Sequence, residues 1–249
     1  MTTKHPESLD DQIKYLKLPF IREHHESLAD TAAKEHWSHQ QYLAALIEGE
    51  SSLRRDRSVR RRIQSAHFPV IKTLDQFQWT WPTKINRLQI QNLFHLNFIN
   101  SKTNVIFLSG VGLGKTHLAT ALGYAACLKG HSVLFTTAID VINTLSAAQS
   151  AGRLQIELKR CLKPGILILD ELGYLPIDKH GADLLFQIIS HRYERGPMII
   201  TSNRAFKDWT GIFNNDSTLT SAVLDRLLHH SEVILIEGNS YRMKDRIES

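Results

Sequence analysis

The chain has 249 residues, of which 42% are hydrophobic, and a formal net charge of +5. This length suits one substantial domain plus a smaller one, and the positive charge favours an acidic polymer such as nucleic acid as a partner. Two cysteines without CxxC or histidine spacing argue against a disulfide framework or a zinc site, and no apolar run reaches membrane-spanning length. We therefore expect a cytoplasmic protein with no membrane partner.

The first third of the chain predicts three helices. Ser8 is expected to cap the first helix, Pro19 to end it, and residues 21–36 to form the second. Ser38 followed by Gln41 has the pattern of a capping box, which would start the third helix.

The third helix is expected to continue into an arginine-rich run. It carries six arginines in nine residues, Arg54, Arg55, Arg57, Arg60, Arg61 and Arg62. Because six side chains cannot share one helical face, positive charge would surround the helix axis. Arginine makes bidentate phosphate contacts, so we interpret the run as DNA-binding, with a protein partner or a solvated surface as alternatives. If all six contacted phosphates, log affinity would fall with log salt with a slope of roughly −5.

Residues 68–82 break the helical pattern and are expected to form a linker with apolar anchors. Within it, Phe77 or Trp79 would either face an adenine base or pack on the core. A helix is expected over residues 83–97.

The stretch from Asn104 to Gly123 predicts a strand, a glycine-rich loop and a helix, which is the context of a phosphate-binding loop. The glycines allow successive N–H groups to point at one phosphate chain, and the helix N-terminus adds partial positive charge. Lys115 would contact the β- and γ-phosphates, and Thr116 would bind Mg²⁺. The first position of the pattern holds serine instead of glycine. The expected nucleotide-binding residues are Ser109, Gly110, Val111, Gly112, Leu113, Gly114, Lys115, Thr116 and His117.

Strands and helices alternate from this loop onward, which predicts an α/β domain with a parallel sheet. Strands are expected over 105–108, 132–136, 166–169, 198–201 and 233–236. Helices are expected over 115–129, 139–149, 154–162, 182–194 and 218–229.

Polar residues at two strand ends are the other catalytic candidates. Asp170 and Glu171 follow an apolar strand, where Asp170 would bind Mg²⁺ and Glu171 would act as general base toward water. Two acids at this position could also simply begin a loop. Asn203 follows a second apolar strand and would contact the attacking water, or would form a turn.

Two arginines near the end of the chain are further candidates. Arg226 lies among apolar residues and would reach the γ-phosphate of a neighbouring subunit, or would pair locally with Asp225 or Glu232. Arg242 would sense nucleotide. The paired histidines, His229 and His230 among them, lack carboxylate or cysteine neighbours at ligand spacing and are interpreted as surface or core residues.

With these motifs in view, the chain resembles the IstB-type ATP-binding proteins of bacterial insertion sequences. It is similar, more distantly, to the DnaC-type helicase loaders, and both groups are AAA+ ATPases. The resemblance covers nearly the whole chain, and the matching stretches are 18–44, 110–119, 168–174, 192–196, 201–203, 224–231 and 240–242.

The resemblance implies a P-loop AAA+ core with strand order 5-1-4-3-2. Many AAA+ proteins carry a helical lid after this core, but only a short tail follows Ile236 here, so we expect no C-terminal lid. The helical first third of the chain predicts a small all-α domain before the core. The domains would be residues 1–67 and 68–249. By position, Lys115 and Thr116 take the Walker A roles, Asp170 and Glu171 the Walker B roles, Asn203 that of the first sensor and Arg226 that of the arginine finger.

The function implied is that of a transposition helper. ATP and Mg²⁺ would drive assembly of a homo-oligomer on duplex DNA, and the assembly would select target DNA and recruit and stimulate a transposase of IstA type. Hydrolysis would be stimulated by DNA. The alternatives are a helicase loader of DnaC type and a DNA-binding scaffold that does not hydrolyse its nucleotide.

Overall fold

The computed structural model describes residues 8–241 and divides the chain into two compact units, Met1–Arg61 and Arg62–Ser249. The expected domain boundary after residue 67 lies within the second unit. Ala66 is buried in the core of that unit and Ile63 packs against it, so these residues belong to it by packing. Within residues 8–241, no helix combines the length and the apolar character that crossing a bilayer requires.

The first unit is helical, and its helices are α1 (Leu9–Tyr15), α2 (Pro19–Lys34) and α3 (His39–Ser65), the last of which ends in the second unit. Ser8 caps α1 as expected, because its hydroxyl accepts the Asp11 N–H at 3.2 Å. Pro19 begins α2, where its missing N–H costs nothing. Ser38 and Gln41 form the expected capping box, with reciprocal hydrogen bonds of 2.7 and 3.3 Å.

The second unit contains one six-stranded sheet in the order β1-β6-β2-β5-β4-β3. The strands are β1 (Lys84–Ile85), β2 (Asn104–Ser109), β3 (Val133–Thr137), β4 (Ile166–Leu172), β5 (Met198–Ser202) and β6 (Ser231–Glu237). The strands β2 to β6 are parallel, and counted from β2 their order is the expected 5-1-4-3-2. The antiparallel edge strand β1 was not expected, so the order of the full sheet differs from the prediction.

The helices of the second unit are α4 (Arg87–Leu93), α5 (Asn97–Asn100), α6 (Lys115–Leu128), α7 (Ala138–Ser150), α8 (Leu154–Leu162), α9 (Lys179–Arg192) and α10 (Ser217–Leu228). The single helix expected over residues 83–97 is wrong. Lys84 and Ile85 pair with the open edge of β6, and the Asn86 side chain then caps α4 by accepting the Gln89 N–H at 3.0 Å. Leu96, with a left-handed φ of 62°, separates α4 from α5.

The central strands are buried on both faces, and their side chains alternate between two cores. Val105 and Phe107 face the core that contains α6, whereas Ile106 and Leu108 face the core that contains α7 and α9. Helices therefore cover both faces of the sheet. The polar residues at the carboxyl ends of β2, β4 and β5 are brought to one edge, where open α/β sheets bind ligands.

Candidate functional site

The loop between β2 and α6 is shaped by two glycines in the left-handed region, Gly112 with φ 76° and Gly114 with φ 87°. A Cβ added at Gly114 would lie 2.6 Å from Cε2 of Phe77, and one at Gly112 would lie 2.2 Å from Oγ of Ser240. Only glycine therefore fits either position. Gly114 also precedes α6 without a side-chain cap, which leaves the first N–H groups of the helix for an anion.

Lys115 folds back over this loop. Its Nζ donates to the carbonyl and hydroxyl oxygens of Ser109, both at 3.0 Å, and to the carbonyl of Gly110 at 2.7 Å. The serine that departs from the common loop pattern thus supplies one of the lysine's acceptors.

A buried network joins Asp170 to the loop. The Thr116 hydroxyl lies 3.0 Å from both carboxylate oxygens of Asp170, and the Thr201 hydroxyl donates to Oδ1. Burial raises the pKa of Asp170, while the hydrogen bonds from Thr201 and Thr116 and the charge of Lys115 act in the opposite direction. Asp170 and Thr116 therefore form one oxygen-rich cluster.

Thr201 is a site residue that the sequence reasoning missed as such. Its hydroxyl also accepts the backbone N–H of Glu171 at 3.0 Å, so one fully buried side chain holds both consecutive acids. The available signal was a polar residue at the end of β5, the strand beside β4 in the sheet.

Glu171 and Asn203 are brought to the same cavity as the loop. Glu171 is exposed and has a left-handed φ of 59°, a strained conformation that tends to occur at functional sites. The side-chain oxygen of Asn203 is buried and has no hydrogen-bond partner among the described residues. A buried acceptor without a partner is rare, and this one belongs to a residue of the cavity wall, which makes Asn203 a candidate for contact with a bound molecule.

The cavity has a volume of about 590 Å³, within the usual range for small-molecule sites. It is lined by the loop, by Glu171, Thr201 and Asn203, and by the linker and Tyr241. Aromatic side chains in its wall are Phe77, Trp81, Tyr174 and Tyr241. Phe77 packs in the core, as one of the two alternatives expected, and it also lines the cavity, whereas Trp79 does not line it.

Hydrogen bonds connect residues 239–241 to the loop and to the linker. The Tyr241 N–H donates to the Gly112 carbonyl at 2.9 Å, and the Trp81 indole donates to the Asn239 carbonyl at 2.8 Å. His117 lies in the cavity wall and contacts the linker, where its Nε2 is 2.8 Å from the Thr73 carbonyl. Burial lowers the pKa of this histidine.

Arg226 lies outside the cavity lining. Its Nη1 donates to the Ala222 carbonyl at 2.9 Å, and its guanidinium lies 5.0 Å from the ring centre of Phe186. Among residues 8–241, Arg226 forms no ion pair with Asp225 or Glu232, so the local salt bridge that was the alternative to the arginine finger is not formed. Arg242 lies outside the described residues.

The six arginines of α3 are not equivalent. Arg54 pairs with the buried Glu50 at 3.0 Å and donates to the Lys17 carbonyl at 2.9 Å. Arg62 is half-buried and donates to the Cys127 carbonyl at 3.0 Å. Arg54 is exposed in spite of these contacts, and the exposed members that take no part in them are Arg55, Arg57, Arg60 and Arg61. Two of the six therefore have structural contacts, and four present their charge to solvent.

The site can hold a magnesium ion. Mg²⁺ prefers oxygen ligands, and the Thr116 hydroxyl and the Asp170 carboxylate supply them side by side, next to the anion-binding loop. A strand, a glycine-rich loop closed by Lys115 and Thr116, and a buried acid on a parallel strand define a P-loop nucleotide-binding protein. The order of the five parallel strands is that of the AAA+ class.

Comparison with known proteins then places the chain more narrowly. The family described as IstB-like ATP binding protein matches residues 11–249, and the chain belongs to this family. It is 40% identical over 238 residues to the insertion sequence IS21 ATP-binding protein of Pseudomonas aeruginosa, covering 96% of this chain and 89% of that protein. It is 38% identical over 240 residues to the IS5376 counterpart of Geobacillus stearothermophilus, covering 96% and 95%.

Solved structures show the same fold. A DNA replication initiation factor matches with a TM-score of 0.55 and 25% identity, covering 71% of this chain and 53% of that one. The DnaC helicase loader matches with a TM-score of 0.51 and 22% identity, covering 71% of this chain and 99% of that one.

Proposed function

We propose that this protein is a DNA-stimulated ATPase that assembles on duplex DNA and assists a transposase of IstA type. The observation that carries the proposal is the single cavity in which Lys115, Thr116 and Glu171 meet, with Asp170 directly behind them. The relatives named for insertion sequences support the transposition context.

Nucleotide binding begins with the loop and Lys115. The backbone N–H groups of the loop and of the first turn of α6 receive the phosphates. Lys115 exchanges its contacts with Ser109 and Gly110 for the β- and γ-phosphate oxygens, which is a short movement because it already lies over the loop. Phe77, Trp81 and Tyr241 offer apolar surface to the base.

Hydrolysis depends on the residues behind the loop. Thr116 and Asp170 would hold Mg²⁺, which neutralises phosphate charge during the reaction. Glu171 orients and polarises the attacking water as general base, and Asn203 offers its buried side-chain oxygen to the same water. Thr201 keeps Asp170 and Glu171 in register because it is bonded to both.

Assembly completes the site. Because Arg226 lies outside the cavity of its own chain, we assign it to the γ-phosphate of a neighbouring copy, where an arginine finger stabilises transition-state charge. The exposed arginines of α3 supply contacts to the DNA backbone, which position a protein without reading sequence. In this proposal the N-terminal region, residues 1–67, serves DNA contact, self-assembly and partner contact, and residues 68–249 serve ATP hydrolysis.

The substitution Glu171→Gln tests the role of hydrolysis. The variant keeps the shape of the site and loses the base, so it should bind ATP and remain on DNA at least about tenfold longer than the parent. Dissociation of labelled duplex from preformed complexes measures this lifetime. Glu26→Gln, which alters an exposed glutamate of α2, is the matched control. Equal lifetimes for Glu171→Gln and the parent would favour the non-hydrolytic scaffold.

A helicase loader is the main alternative, since the chain shares its fold with the DnaC loader. Capture assays with a hexameric replicative helicase and with duplex DNA separate the two. The proposal expects ATP-dependent retention of duplex and no stable helicase complex. Tight helicase capture with indifference to duplex would replace it with the loader.

A further inference from the structure

Three metal-binding side chains meet far from the nucleotide cavity. Glu194 follows α9, and His229 and His230 follow α10, so the cluster lies where β5 and β6 begin rather than where the parallel strands end. All three are exposed, and one ligand atom of each lies within 4.8 Å of the other two. Zinc ligands at bond lengths of about 2.0–2.1 Å sit closer together than this, so small side-chain rotations would be needed.

A neighbouring hydroxyl orients one of the histidines. The Tyr193 hydroxyl lies 2.9 Å from Nδ1 of His229, which leaves Nε2 of that ring open to a ligand. Metal-binding histidines usually donate their other N–H to an oxygen, and this contact supplies that oxygen. The cluster therefore contains three ligands together with an outer partner that orients one of them.

The backbone beneath the cluster is fixed by a buried asparagine. Asn104 donates its backbone N–H to the His230 carbonyl at 2.8 Å and its side-chain N–H to the Leu227 carbonyl at 3.0 Å. Its side-chain oxygen accepts the Met198 N–H at 2.9 Å. The ends of α10 and the starts of β2 and β5 are thus joined, which gives the two histidines a rigid support.

We propose that Glu194, His229 and His230 bind one late first-row divalent ion, represented by Zn²⁺, with water completing its coordination. Two imidazoles and one carboxylate suit such an ion and not Mg²⁺, which prefers an all-oxygen site. The ion would fasten the end of α9 to the end of α10, the helix that carries Arg226. This proposal is independent of the nucleotide chemistry.

Zinc titration of the untagged full chain, with excess Mg²⁺ present to occupy the Asp170 site, tests the proposal. We expect one Zn²⁺ per chain by calorimetry, and tetrahedral Co²⁺ absorption bands when cobalt replaces it. His230→Ala and Glu194→Gln should each weaken binding at least about tenfold, and Tyr193→Phe should weaken it by about tenfold through the lost outer contact. His95→Ala removes an exposed histidine elsewhere and should bind as the parent does.

Any one of three results of the zinc titration would overturn the proposal. They are the absence of stoichiometric Zn²⁺ binding to the parent, binding that is unchanged in both His230→Ala and Glu194→Gln, and loss of binding in Asp170→Asn instead. Glu194→Gln replaces an exposed carboxylate by its isostere, and an unchanged circular dichroism spectrum establishes that its effect is not unfolding.

Discussion

The hydroxyl of Thr201 offers a sharp test of how the catalytic acids are held. It is fully buried, it donates to Asp170, and it accepts the Glu171 N–H at 3.0 Å. Thr201→Val keeps the side-chain volume and removes both hydrogen bonds. We predict that the variant binds ATP nearly as the parent does and hydrolyses it slowly, because the loop and Lys115 are untouched.

The expected size follows from the bonds that are lost. A hydrogen bond to a charged group contributes about 1.5–3 kcal/mol, and each 1.4 kcal/mol corresponds to about tenfold in rate. If the bonds to Asp170 and Glu171 matter mainly in the transition state, kcat should fall by about 10- to 100-fold. Asp170 would also lose a donor that favours its ionised form, so its already raised pKa should rise further.

Phosphate release gives kcat, and a fluorescent ATP analogue gives affinity. Thr201→Ser is the matched control because it retains the hydroxyl and should hydrolyse ATP at close to the parent rate. The reasoning fails if Thr201→Val stays within about twofold of the parent, since the bonds to both acids would then be dispensable. It also fails if the serine variant is as slow as the valine variant.

Three further predictions concern charge. Burial raises the pKa of Asp170 above 3.8, so the folded, nucleotide-free parent loses stability as pH rises from about 4 until Asp170 is fully ionised. Asp170→Asn lacks this loss, and the difference between its Tm and that of the parent should therefore increase over the same pH range. A Tm difference that does not change with pH would contradict this prediction. Arg226→Ala should bind ATP normally and hydrolyse it at least about a hundredfold more slowly in assemblies, and lost ATP binding would refute the role in a neighbouring site. Four exposed arginines of α3 are expected to contact phosphates, Arg55, Arg57, Arg60 and Arg61. A plot of log affinity for duplex DNA against log salt concentration should therefore have a slope of roughly −4, and replacing the four residues by glutamine should bring the slope toward zero. An unchanged slope would exclude them as the phosphate contacts.

The α/β core was predictable because strong local patterns agree with the tertiary structure. The helix expected over residues 154–162 has those bounds, Leu154–Leu162, and the five parallel strands lie within one or two residues of their expected starts. Strand order came from the family resemblance, since periodicity carries no information about which strands are neighbours. The phosphate-binding loop could be recognised from the spacing of its glycines relative to Lys115 and Thr116.

The errors fall where distant parts of the chain decide the local structure. Residues 83–97 have helical spacing, yet the open edge of β6 takes Lys84 and Ile85 as an antiparallel strand. Sequence alone also treated the arginines of α3 as one group, whereas Arg54 donates to the Lys17 carbonyl and Arg62 to the Cys127 carbonyl. These contacts join residues far apart in the chain, and periodicity does not report them.

The same limit applies to the polar clusters. The double role of Thr201 depends on β5 lying beside β4. Likewise, His229 and His230 appeared to lack an acidic neighbour, because Glu194 joins them only in the folded chain. The nucleotide site was predictable because each of its parts is a motif contiguous in sequence, whereas the role of Thr201 and the cluster at Glu194 follow no such motif and required the structure.

The central claim is that ATP held by the loop after β2 joins copies of this chain on duplex DNA. Imaging of particles on long duplex, with parent and Lys115→Ala each at saturating ATP, tests it most directly. Lys129→Ala, at the C-cap of the same helix and therefore at the end away from the loop, is the control. The account predicts ATP-dependent multimers for the parent and for Lys129→Ala, and none for Lys115→Ala. Multimers of Lys115→Ala as abundant as those of the parent, or parent multimers formed equally without ATP, would contradict it.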